Sequence, residues 1–150
     1  MTLHALEDWA DTLLARLEPS ARRQLLTRLA QDLRRSQQQR IQAQRNPDGS
    51  RYEKRKPKQR LRKRHGQVKR RMFTKLRLAR HLKMSTSNTG LSVGFSGRAS
   101  RIAWVHQRGK LDRPGAGQAA VPYPSRQLLG LTREELAWIH DALLEHLSPH

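Results

Sequence analysis

Apolar positions near the start of the chain recur every three or four residues, as Leu3, Leu6, Trp9, Ala10, Leu13, Leu14 and Leu17, with Glu7, Asp8, Asp11 and Arg16 on the other faces. That spacing predicts an amphipathic helix. Pro19 interrupts it, and proline is tolerated in the first turn of a new helix, so residues 18–20 read as a helix-to-helix corner. A second stripe follows in Leu25, Leu26, Leu29, Ala30, Leu33 and Ile41. Facing stripes predict a helical hairpin over residues 1–44, each fully buried leucine contributing about 1.5–3 kcal/mol. The run Arg34-Arg35-Ser36-Gln37-Gln38-Gln39-Arg40 holds good helix formers but little to bury. It predicts that the far end of the second helix projects from the body.

Asn46-Pro47-Asp48-Gly49-Ser50 stops the helix, because proline forces the preceding residue out of the α region and Asp-Gly suits a turn with positive φ. From there to Gly66 only Tyr52 and Leu61 are available for burial, and Pro57 breaks any regular element. Residues 45–67 therefore read as a basic extended loop or, equally on composition, as a disordered linker. Beyond Val68, the apolar residues Met72, Phe73 and Leu76 suggest a short helical stripe that gives way to a strand near Leu78.

The period then drops to two. Leu91, Val93 and Phe95 alternate with Ser92, Gly94 and Ser96, and Ile102 and Trp104 lie on one face of the run 101–107. These are read as two strands joined through Gly97, with a turn at Ser87-Asn88-Thr89-Gly90 before them and an edge strand at 119–123 limited by Pro122 and Pro124. The expected sheet is an antiparallel meander of three or four strands, with residues 109–117 a loop. Thr132-Arg133-Glu134-Glu135 has the spacing of a capping box, and Leu136, Ile139, Leu143 and Leu147, with Trp138 beside them, form the stripe of a helix starting at Arg133. The predicted fold class is α+β: an N-terminal helical hairpin (1–44), a basic arm (45–67) and a small antiparallel sheet covered by a C-terminal helix (68–150). Together they make one domain over residues 1–150.

Charge changes this picture more than composition does. Hydrophobic residues make up 35% of the chain and the formal net charge is +19. Residues 51–83 carry 16 of the 31 Lys and Arg against one acid, Glu53. So dense a field calls for an anionic or acidic partner. The contact residues expected on the arm are Arg51, Lys54, Arg55, Lys56, Lys58, Arg60, Arg62, Lys63, Arg64, Lys69, Arg70 and Arg71. Only Tyr52 and Phe73 interleave with these charges, so any contact with nucleic acid is expected to meet phosphates without reading bases.

Catalytic chemistry finds little support. Without cysteine there is no thiolate nucleophile and no cysteine-ligated metal. His65, His81 and His106 lie far apart in sequence, His140, His146 and His150 lack metal-ligand spacing, and no phosphate-binding glycine motif occurs. No enzyme activity, cofactor or metal is expected. The N-terminus is unlike a secretory signal and no apolar run approaches the roughly 20 residues of a spanning helix. Trp9 and Trp138 are expected to serve packing, Trp104 and His106 to serve packing ahead of the alternative of a contact site, and Arg126 to pair with a helix carboxylate ahead of the alternative of a functional anion role.

Taken together, several stretches resemble a known family. They are Arg45-Asn46-Pro47-Asp48-Gly49-Ser50, Met72-Phe73-Thr74-Lys75-Leu76-Arg77, Val93-Gly94-Phe95-Ser96-Gly97-Arg98, Ile102-Ala103-Trp104-Val105-His106-Gln107-Arg108-Gly109 and Tyr123-Pro124-Ser125-Arg126-Gln127-Leu128-Leu129-Gly130-Leu131-Thr132. In order and almost end to end, they resemble the phage virion morphogenesis family, the tail completion proteins of contractile-tailed phages. Phe73, Leu76, Arg77, Val93, Gly94, Phe95, His106, Gln107, Gly109, Arg126 and Gly130 carry the resemblance. It implies a non-enzymatic structural protein acting at the head-proximal end of the tail and needed for joining the tail to a filled head. It further implies a place in the virion after assembly in the host cytoplasm, contacts with tail tube, sheath or neck proteins, and a homo-oligomeric ring, commonly hexameric. The alternative from another class is a sequence-independent nucleic-acid-binding protein using the same arm. A membrane role is not expected.

Overall fold

The computed structural model describes residues 2–54, 71–113 and 117–147. Helix α1 spans Leu3–Leu14, started by Thr2, whose hydroxyl accepts the Ala5 N–H at 3.2 Å. Helix α2 runs Pro19–Gln42, with Pro19 in the first turn as its fixed φ favours. Strands β1 (Leu82–Thr86) and β2 (Leu91–Phe95) form one antiparallel pair. Helix α3 covers Arg98–Arg108, strands β3 (Leu111–Asp112) and β4 (Val121–Pro122) pair next, and helix α4 spans Arg133–Leu147. The class is α+β, as the pattern predicts.

Two compact units share these elements. The first comprises Met1–Ser36, Lys83–Gly94 and Leu131–His150. Its core joins Leu14 of α1, Leu25, Leu26 and Leu29 of α2 and Leu143 of α4, with Trp9, Leu17, Leu91, Trp138 and Ile139 packed against them. The expected hairpin of α1 and α2 is present, and α4 and β2 contribute to the same core. Trp9 and Trp138 serve packing as expected, and Trp9 stacks on His140 with centroids 4.4 Å apart. At the start of α4 the capping box closes in both directions: Thr132 Oγ1 accepts the Glu135 N–H at 3.0 Å, and Glu135 Oε1 accepts the Thr132 N–H at 3.4 Å. The turn between β1 and β2 is closed by a 2.8 Å bond from Ser87 N to Gly90 O.

The second unit comprises Gln37–Leu82 and Phe95–Gly130. Ile41, Tyr52, Met72, Ala103 and Leu128 form its core, with Phe73, Leu76 and Phe95 packed on them.

Three expectations need correction. Residues 101–107 are helical, so the sheet is not a meander: among the described residues it consists of two separate two-stranded pairs. Ala99 and Ala103 are the buried, helix-spaced positions that decide it, and the alternating pair Ile102 and Trp104 is exposed. Gly97 and Gly109 bracket this helix and do not punctuate strands. Gly97, at φ 62°, holds the N-cap position, and Gly109, at φ 63°, supplies the left-handed residue that ends the helix, with Lys110 N bonding back to Val105 O at 2.9 Å. Next, the far end of α2 does not project: Ile41 and Gln37 are buried. Last, residues 74–81 form successive turns rather than a helical stripe, strand β1 begins at Leu82, and β3 occupies part of the expected 109–117 loop.

Candidate partner-binding site

The second unit is built around residues 125–130, which have no regular structure and whose backbone groups are met by side chains. Gln107, near the end of α3, acts as a substitute strand: its Oε1 accepts from Leu128 N at 2.8 Å and Leu129 N at 3.0 Å, while its Nε2 donates to Leu129 O at 2.8 Å. The Gly130 N–H donates to Gln37 Oε1 at 3.1 Å, and Gly130 O accepts from Arg40 Nη2 at 2.9 Å. Arg40 also donates to Gln37 Oε1. Buried backbone groups must find partners, and here a polar helix end supplies them. That accounts for the burial of Gln37.

The same segment ties down the Asn46-Pro47-Asp48-Gly49-Ser50 turn. Asn46 Oδ1 accepts from Gln127 N at 2.8 Å. A Cβ added at Gly130 would lie 2.4 Å from Pro47 Cγ, so only glycine lets the turn approach. The Ser50 hydroxyl, followed by its backbone N–H, holds the Asp48 carboxyl below its ordinary pKa.

Arg126 is 4% exposed. Its backbone N–H donates to His106 O at 2.7 Å, its Nε donates to Glu53 O at 2.7 Å, its Nη2 donates to Lys54 O at 3.4 Å, and its Nη1 lies 3.3 Å from His106 Nδ1. Backbone carbonyls at the start of the basic arm thus receive this guanidinium. Tyr52 adds a bond from its hydroxyl to Gln127 O at 3.0 Å. Burial pushes its phenol up to about 12, partly opposed by the nearby Arg40 charge.

The other flank of the arm is held by Gln44, whose Oε1 accepts from Met72 N at 2.7 Å and whose Nε2 donates to Met72 O at 2.8 Å. Phe73 follows at φ 64°, a left-handed backbone that is costly for an aromatic residue and has to be enforced by its surroundings. Its ring supplies the enforcement: it meets Tyr52 at 5.7 Å and His106 at 4.7 Å, and His106 meets Tyr123 at 5.1 Å, all edge-on. Residues 52–54 and 71–73, which flank the cationic segment, are therefore bound to one scaffold.

Of the predicted contact residues, Arg51, Lys54 and Arg71 are exposed at these flanks. Arg55, Lys56, Lys58, Arg60, Arg62, Lys63, Arg64, Lys69 and Arg70 lie outside the described residues. Among the motif residues, Phe73, Leu76, Phe95, His106, Gln107, Gly109, Arg126 and Gly130 belong to the scaffold or its core, and Arg77 O accepts from Gln38 Nε2 at 2.7 Å. Val93 and Gly94 lie in β2 in the first unit, and nothing in the structure requires glycine at position 94. Trp104 does not pack: it is 51% exposed. Sequence reasoning missed Gln37, Arg40, Gln44 and Asn46 as structural polar residues. For Gln37, the available signal was its place four residues after Leu33 and four before Ile41, on the apolar stripe.

Charge is divided unequally between the units. Over the full sequence the second holds 23 Lys and Arg against three acids, and the first holds eight against nine. Among the described residues no group of three or more His, Asp or Glu is placed to hold a metal ion, and no helix is long and apolar enough to cross a membrane. What this arrangement does is fix the described residues on both flanks of the cationic segment.

The fold is that of a small α+β protein whose side chains brace both described flanks of one cationic segment. The family model for the phage virion morphogenesis family matches residues 1–148, and the chain belongs to that family. It is 42% identical over 143 residues, 95% of each chain, to tail completion protein S of Escherichia phage P2. No solved structure matches it.

Proposed function

We propose that this chain is a non-enzymatic structural protein of tail completion in a contractile-tailed phage. It acts as a repeated subunit at the head-proximal end of the tail, where it makes the tail competent to join a filled head. The observation that carries this reading is the 42% identity to a tail completion protein across 95% of both chains. In this reading residues 51–83 dock electrostatically on acidic surfaces of tail or neck proteins. The structure supports such docking by bracing both flanks of that segment, through Arg126 and Tyr52 on one side and Gln44 on the other.

The test is a phage lacking this chain. Filled heads and unjoined tails should accumulate, and adding the purified protein should restore joining. Replacing the lysines and arginines of 54–71 by glutamine should abolish that rescue. Normal joining without the chain would overturn the role, and rescue by the neutralised protein would overturn the docking mechanism. The concentration of charge in the second unit favours one second reading, docking on DNA. A steep salt dependence of duplex binding would support it, since phosphate neutralisation releases counterions. Weak binding at low salt would leave the protein surface as the target.

A further inference from the structure

Helix α3 and the adjoining β3–β4 pair carry exposed apolar side chains: Ile102 at 46%, Trp104 at 51%, Leu111 at 68% and Val121 at 37%. Single exposed apolar residues need no explanation. Ile102 and Trp104, two residues apart on a helix, do not share a face, and Leu111 and Val121 lie on opposite faces of the β-pair, so it is Trp104 with its charged neighbours that forms a surface feature. Lys110 Nζ and Arg108 Cζ lie 5.3 and 6.0 Å from the centroid of the Trp104 ring. Arg101 Nη2 bonds Asp112 Oδ1 at 3.0 Å, and Asp112 stands opposite Val121 in the β-pair. The result is a half-exposed tryptophan rimmed by cations, and Trp and Arg are among the residue types that most often anchor interfaces. Such a rim needs an anionic complement, and against its own copy it would be repelled.

The chain itself carries that complement. On α1, His4, Glu7, Asp8 and Asp11 are exposed and share one helical face, and Leu3, 42% exposed, stands at its start. We propose that the Trp104 face of one copy docks on the acidic face of α1 of a second copy. The two surfaces differ, so the contact is heterologous and repeats from copy to copy. This contact gives the repeated subunit of the proposed function a particular surface, and it rests on that part of the reading.

Sedimentation velocity on the full chain tests it, with three variants checked for folding by circular dichroism: Trp104→Ser, the rim reversal R108E/K110E, and the α1 reversal E7K/D8K/D11K. The wild type should self-associate, and more weakly as salt rises. Each variant alone should lose at least about tenfold in association, and mixing the two charge-reversed variants should restore it, because their altered faces again carry opposite charge. Association of the variants equal to wild type would overturn the contact while leaving a repeated subunit intact. Failure of the mixture to recover would do the same. A wild type that stays monomeric throughout would overturn both the contact and the repeated subunit.

Discussion

A guanidinium as buried as Arg126 is tolerated only where its N–H groups find acceptors, and it finds them in the carbonyls of Glu53 and Lys54 and in His106. Replacing it by methionine keeps the volume but strips those carbonyls of their donors. We expect a loss of about 1–3 kcal/mol in chemical denaturation and faster amide exchange over residues 52–54, and lysine, with a single nitrogen, should not rescue it. Tyr52 makes a separate prediction about pH. Its phenol is pushed up to about 12 in the fold, while an unfolded tyrosine ionises near 10. The folded state keeps the proton longer, so the stabilisation is complete below about pH 10 and is lost as pH rises from there toward 12. Unfolding free energy measured across that window should fall in the wild type, with a shallower fall in Tyr52→Phe. Neither residue's partners could be read beforehand. A lone arginine before two leucines shows its charge in the sequence, but the carbonyls that receive it lie 73 and 72 residues away.

Among the elements, α3 is the instructive case. Its buried face rests on alanines and one valine, small residues that give a weak periodic signal, while Ile102 and Trp104 alternate on the surface and imitate a strand. Enlarging the buried Ala103 to valine should overpack the helix against the second core and cost about 1–3 kcal/mol in thermal unfolding. A strand reading would instead favour the β-branched residue. The C-terminal helix is the opposite case: its start was legible because capping is local, depending on residues three apart. Thr132→Ala should cost about 0.5–2 kcal/mol, measured the same way. The first helices were equally legible, since their apolar stripes are periodic and long. The polar end of α2 was not, because a glutamine that satisfies backbone groups looks in sequence like one that faces water.

For the whole molecule, the governing quantity is the division of charge, 23 cations against three acids in one unit and near balance in the other. Like charges crowded in one unit oppose its compactness, and salt screens them. The thermal midpoint should therefore rise between very low salt and about 0.15 M, and a midpoint that falls would mean attractive pairs dominate. Sequence by itself determined the α+β class, the α1–α2 hairpin, the capped last helix, the density of positive charge and the family, because each depends on composition, local spacing or an ordered set of motifs. Tertiary structure alone decided that α3 is a helix with an outward Trp104 and that Arg126, Gln107, Gln44 and Gln37 form one network of polar braces in the second unit. The physical reason is reach: these polar side chains act on backbone groups up to 93 residues away, as between Gly130 and Gln37, and such bonds leave no periodic trace along the chain.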